Sequence, residues 1–197
     1  MTTTTYEKIY IDGAWVPSAG SGSIDVYDSS NGEVIASIPA GTAEDVDKAA
    51  KAARAAFEGW SHTTPEERAK ALTRIGEGLA ARMDEIATVV TREAGMPKWL
   101  SLMIQAGLPI NSFNTAAQLA ESYEYESTLG NSLVVREPVG DGGCLTPCNY
   151  PLHQLAANVA YALAAGDYQL GARASGDTPA SLPPFPDLAL VPESLWP

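Results

Sequence analysis

Two cysteines, two histidines and twelve basic residues are all that this 197-residue chain offers of the groups that carry metal, redox or nucleic-acid chemistry. Each shortage excludes something. Cys144 and Cys148 lie in one short stretch, which is no disulfide framework, and a C-x₃-C spacing alone supplies too few ligands for a metal site. Twenty-four acids outweigh the bases to give a net charge of −12, which disfavours nucleic acid and anionic membranes as partners. No apolar run reaches the roughly 18 residues that span a bilayer. The opening MTTTTYEK lacks the basic and apolar regions of a secretory signal, so a cytoplasmic protein is expected. No lysine follows Lys98, and six of the 14 prolines fall in residues 167–197.

The patterns that are present divide the chain in order. Residues 8–38 read as β-structure: Ile9 and Ile11 alternate with polar neighbours, Gly13 turns the chain, and Asn31-Gly32 centres a hairpin. Residues 42–59 read as a helix opened by a Thr42/Asp45 capping box, with Val46, Ala49, Ala53, Phe57 and Trp60 on one apolar stripe. A second helix begins at Thr64, with Pro65 in its first position and Glu67 completing the box. Leu72, Ile75, Leu79, Ile86 and Val90 form its core face, and Gly95-Met96-Pro97 ends it. Gly76 and Gly78 weaken it by ~1 kcal/mol each relative to alanine. Residues 98–122 form a third helix, kinked or broken near Gly107-Leu108-Pro109. A strand is expected over 123–138.

The most informative stretch is 136–166, REPVGDGGCLTPCNYPLHQLAANVAYALAAG. Val134, Val135, Val139 and then Cys144 to Thr146 favour an extended chain. Pro147 stops the strand, Asn149 is a good N-cap, and Pro151 sits in the first helical turn. Leu152, Leu155, Val159 and Leu163 recur at helical spacing, and Gly166 suits the residue after the helix. A strand entering a helix through a tight polar turn is where α/β proteins place cofactors.

This stretch resembles the aldehyde dehydrogenase superfamily at Arg136, Glu137, Pro138, Val139, Gly140, Gly143, Thr146, Pro147, Asn149, Tyr150, Pro151 and Ala162 to Gly166. The segments I-D-G-x-W-V and N-G-E-V-I-A, near the start, extend the likeness, so that residues 8–166 match. The resemblance implies an α/β fold: a partial Rossmann-like cofactor-binding domain, with an N-terminal β arm and helices. It assigns 1–122 and 139–166 to that domain and 123–138 to a strand running toward an oligomerisation domain. Residues 167–197 are expected to be a divergent, disordered tail. The abrupt loss of pattern suggests that the reading frame shifts directly after the codon for Gly166.

The implied chemistry is NAD(P)-dependent oxidation of an aldehyde to a carboxylic acid, by a family that forms homo-oligomers. In that family the asparagine corresponding to Asn149 donates its amide N–H to the oxyanion of the tetrahedral intermediate; losing one such donor typically slows a reaction by ~10²–10³. The bland alternative is that Asn149 only caps a helix. Leu145, Thr146 and Pro147 match the strand end that meets the nicotinamide ribose, or else they are only a strand terminus. Cys148 stands where the family has tryptophan; it has no identifiable base beside it and, like Cys144, reads as an inert thiol. His153 reads as structural, His62 carries no signal, and Arg136 and Glu137 read as an ion pair or a solvated rim. Asp141 and Gly142 replace apolar positions. A buried unpaired carboxylate and a strand glycine both argue against a well-formed sheet.

The resemblance locates the nucleophilic cysteine, the water-activating glutamate, the glycine-rich cofactor turn and the ribose-binding lysine in segments this chain does not contain. The chain is therefore expected to be inactive alone and to bind NAD or NADP weakly or not at all. It is also expected to be poorly soluble or drawn into larger assemblies. The competing expectation is a non-catalytic interaction protein that pairs with a full-length relative through a sheet edge.

Overall fold

The computed structural model describes residues 4–147 and 149–173, with backbone alone for 169–173. Cys148 and the tail expected beyond residue 173 lie outside the described residues.

The N-terminal arm is two small antiparallel units. β2 (Lys8–Ile11) and β3 (Ala14–Pro17) pair with Ile11 opposite Ala14. Asp12 and Gly13 join them at φ 54° and 72°, the positive values a two-residue primed turn demands. β4 (Ser23–Tyr27) pairs with β5 (Val34–Pro39), and the two-residue β1 (Thr4–Thr5) lies parallel to β5 on its other edge. The β4–β5 connection spans 28–33, longer than a bare Asn-Gly turn. Asp28 organises it, accepting at Oδ1 from Ser30 and at Oδ2 from Arg92 Nε at 3.0 Å.

Both expected capping boxes form. Thr42 caps α1 (Ala43–Ser61) with Asp45, and Thr64 caps α2 (Pro65–Ala81) with Glu67. Asp45 is buried and also accepts from Ser18 Oγ at 2.7 Å and the Ala19 amide at 2.9 Å, which ties the arm to the helix start. The expected stripe on α1 is only partly used. Ala53 and Trp60 are buried, whereas Val46 is 49% exposed. The long second helix is two: α2 ends at Arg82, and α3 (Met83–Ala94) restarts there and stops at left-handed Gly95. All five expected core positions, Leu72 to Val90, are buried.

The third helix is not broken at Pro109 but continues from 98 to 122 through a change of helix type. α4 (Lys98–Leu100) runs into a π-helical turn over Ser101–Gly107, then α5 (Leu108–Ser122). One extra residue per turn accommodates the proline without ending the helix. The hydrophobic core lies where α2, α5 and α6 (Pro151–Ala165) meet, around Leu72, Ile75, Phe113, Ala116, Ala156 and Ala160. Alanines make this seam close. Gly76 does more than weaken α2, since a Cβ there would lie 2.6 Å from Asn114 Oδ1.

The segment 123–138 is a hairpin, not the single strand expected. β6 (Glu126–Leu129) and β7 (Ser132–Val135) pair about Gly130, at φ 63°. Leu129, Leu133, Val134 and Val135 are all exposed.

β8 (Asp141–Thr146), α6 and β9 (Tyr168–Arg173) complete the fold as a β-α-β unit, with β8 and β9 parallel and in register from Asp141–Tyr168 to Thr146–Arg173. This corrects two expectations. Tyr168–Arg173 belongs to a sheet and not to a tail, because Gly166 turns the chain in the left-handed conformation and returns it beside β8. Asp141 is neither buried nor unpaired; it meets Arg54 of α1 at 3.0 Å at the rim of the sheet.

Candidate functional site

The C-terminal end of β8 and the N-terminal end of α6 face the same way, and the turn at 147–150 joins them. α6 is fixed from its far end. Trp60 Nε1 donates to the Leu163 carbonyl at 3.2 Å, and Arg68 Nε and Tyr125 Oη donate to the Ala164 carbonyl at 2.9 and 3.0 Å. Arg68 is itself buried, and its guanidinium lies over the Tyr125 ring. A cation at a helix C-terminus is favoured by the helix dipole as well as by the unpaired carbonyls. Just beyond, Asp167 Oδ1 accepts from the amides of Val139 and Gly140 at 2.6 and 3.0 Å, closing the start of β8 onto the end of α6. These contacts, all remote from the turn, set where it sits.

Within the site, Cys144 and Thr146 point into the molecule and are buried, while Leu145 is 78% exposed. Pro147 and Asn149 are exposed too. The strand thus brings Leu145, Thr146, Pro147 and Asn149 to one edge, with Leu145 presented to whatever occupies it. Burial pushes the Cys144 thiol pKa up, so its thiolate is disfavoured, in line with an inert cysteine.

Asn149 does not cap the helix. The N-cap is Tyr150, and it makes no side-chain capping bond. Pro151 is the cause: it fixes the first helical residue and forces the residue before it out of helical conformation, so the cap falls one position after Asn149. Among the described residues only the backbone of Asn149 is engaged. Its carbonyl accepts from Gln105 Nε2 at 3.5 Å, while its carboxamide has no partner. Gln105 lies in the π-helical turn and is fully buried, with its Oε1 unsatisfied. His153 Nδ1, one turn into α6, is also buried without a partner.

Arg136 and Glu137 lie away from this edge. Arg136 Nη1 donates to the Glu124 carbonyl and lies over the Tyr123 ring, and both residues are exposed as expected. His62 lies at the end of α1, its Nδ1 2.7 Å from the Glu58 carbonyl. No cluster of metal-ligating side chains occurs among the described residues, and no helix there is long and apolar enough to cross a membrane. Sequence reasoning missed Gln105. The available signal was a lone amide side chain within the apolar run 102–110.

A strand that ends in exposed residues, a turn carrying an unpartnered amide and a helix returning to a parallel strand define one β-α-β unit of an α/β sheet. The chain belongs to the aldehyde dehydrogenase family, whose family model matches residues 15–182. That match runs past Gly166, which corrects the expectation that the likeness ends there.

A 3-succinoylsemialdehyde-pyridine dehydrogenase from a Pseudomonas species is 43% identical over 162 residues, covering 82% of this chain and 34% of its own length. The solved aldehyde dehydrogenase C mutant from Pseudomonas syringae, in complex with NAD+ and octanal, is 38% identical with a TM-score of 0.81, covering 84% of this chain and 34% of that one. A Mycobacterium tuberculosis aldehyde dehydrogenase complexed with NAD+ is 32% identical, TM-score 0.81, over 86% of this chain and 36% of that one. The chain therefore spans about a third of the length of the relatives it matches.

Proposed function

We propose that this chain is the cofactor-side first third of an NAD-type aldehyde dehydrogenase, cytoplasmic and inactive by itself. Asn149 is the donor that would meet the oxyanion of an aldehyde-derived tetrahedral intermediate. Leu145, Thr146 and Pro147 are the strand end that would lie against the nicotinamide ribose. NAD or NADP supplies the hydride acceptor when bound, and this chain alone binds it weakly or not at all. The observation that carries the reading is the carboxamide of Asn149: exposed, free of any capping role, and at the same sheet end as Leu145. An amide held in place by its own backbone pays little reorganisation when charge develops beside it.

The test is a chimera in which residues 15–166 replace the matching third of the Pseudomonas syringae enzyme. It should oxidise octanal with NAD+, and Asn149→Ala should reduce the rate by ~10²–10³. An Asn149→Ala chimera as fast as its parent would overturn the assignment. The isolated chain should give no aldehyde-dependent NADH.

A second reading, a non-catalytic partner of a full-length relative, draws on the β6–β7 hairpin. A two-stranded ribbon with Leu129 75% and Leu133 62% exposed is poorly stable alone and has open edges. Co-purification with an intact dehydrogenase, abolished by Leu129→Lys, would favour it; a clean monomer in the presence of that enzyme would count against it.

A further inference from the structure

We propose that Gln105 is a positioning residue for Asn149, acting through the backbone of the turn and not through the carboxamide itself. This rests on Asn149 being the oxyanion donor.

Three observations lead to it. Gln105 is fully buried, yet nothing in a core of alanine, leucine and phenylalanine calls for a polar side chain at that position. Its only hydrogen bond among the described residues goes from Nε2 to the carbonyl of Asn149, 44 residues away in sequence. It sits in the π-helical turn at Ser101–Gly107, and such turns occur frequently at functional sites. The wider turn changes the angular position of the residues after it, so the side chain at 105 need not follow the periodicity of α5.

Asn149 needs such a hold. It follows a strand that has ended and precedes a helix whose cap is Tyr150, so neither element's own hydrogen bonds fix it. An oxyanion donor must be placed within a few tenths of an ångström, since its value lies in being oriented before charge appears. A bond to the carbonyl fixes the backbone while leaving both side-chain N–H groups for another molecule. The unsatisfied Oε1 of Gln105 shows that burying the amide is unfavourable on its own account. A glutamine kept only for packing would be better replaced by methionine, of similar length and no polar atoms.

Gln105→Met separates the two cases in the chain as it exists. It keeps the volume and removes the donor together with the unsatisfied acceptor. Amide hydrogen exchange, read residue by residue by NMR, is the measurement. The amide of Gln154, which donates to the Tyr150 carbonyl at the turn, should exchange about tenfold faster, while those of Phe113, Ala116 and Ala117 in α5 keep their parent rates. The carboxamide N–H pair of Asn149 should be single and narrow in the parent and should broaden or split in the variant.

Asn149→Ala retains the carbonyl, so its Gln154 amide should exchange at the parent rate, and adding Gln105→Met should then have the same effect as in the parent. An unchanged Gln154 rate in Gln105→Met would sink the proposal, as would Gln154 and α5 rates rising together, which is the mark of lost packing. No aldehyde or cofactor enters the measurement. A failed chimera would therefore leave this result standing, and a failure here would leave the chimera untouched.

Discussion

The α2–α5–α6 helical layer and the β8–α6–β9 unit share one helix and treat it in opposite ways. Against α2 and α5, α6 buries Leu152, Ala156, Ala160 and Leu163, each 5% exposed or less. Beside it, β8 covers Cys144 and Thr146 but leaves Leu145 and Val139 78% and 97% exposed. The helical layer is closed by its own side chains. Among the described residues the sheet has two strands, and a sheet that small buries one face at best. In a family whose solved members this chain covers over about a third of their length, stability can be local to the helices while the site depends on what lies across from it. The lesson is that completeness of a core and completeness of a site are separate properties, even where one helix serves both.

The sharpest way to break the comparison is at the centre of the helical layer. Phe113→Ala should destabilise the chain by about 3–5 kcal/mol, enough to unfold much of it, since the ring is fully buried and rigid helices collapse poorly into a cavity. Urea denaturation followed by circular dichroism measures this, and a change below 1 kcal/mol would mean that the layer is looser than its burial indicates.

Arg68→Met tests the contact that holds α6 in both halves. It removes the donor from the Ala164 carbonyl and the charge from the helix end, and should reduce stability by about 2 kcal/mol. It should also increase exchange of the Gly166 and Asp167 amides more than those of α2. An equal increase throughout would make Arg68 an ordinary core residue.

Asp45 gives a smaller effect confined to acid. The Ser18 hydroxyl, then the amides of Ala19 and Thr42, hold its carboxyl well below the ordinary carboxylate range. Its folded pKa is depressed relative to the unfolded value of ~3.9, so its contribution is present above that value and lost as pH falls below about 4 toward the folded pKa. Asp45→Asn should therefore flatten the stability profile between roughly pH 4 and pH 2, and a slope unchanged from the parent would remove the link.

The smallest effect is expected across the site. Leu145→Ser should change stability by less than about 0.5 kcal/mol, because the side chain is already in water. In the chimera the same change should raise KM for NAD+. A large loss of stability in the isolated chain would mean that this face is covered after all.

Much of the helical layer was legible in advance because its signals are local. Thr42 with Asp45 and Thr64 with Glu67 satisfy amides within one turn, and Gly95 and Gly166 end helices by conformations other residues resist. The site was legible only through resemblance, and there a local signal misled. Asn149 is a good N-cap residue in isolation, but Pro151 moves the cap to Tyr150.

By itself the sequence determined where α1 and α2 start and where α3 and α6 stop, which apolar positions of α2 and α3 enter the core, and that strand, turn and helix follow one another over 136–166. These depend on residues within about one turn of each other, where propensity and capping act. Only the tertiary structure decided that Val46 stays in water, that Asp141 meets Arg54, that Tyr168–Arg173 returns to pair with β8, and that Gln105 reaches the carbonyl of Asn149. Each of these joins residues far apart in the chain, and a contact of that kind is fixed by which faces the packed helices present to each other, not by anything the neighbouring residues encode.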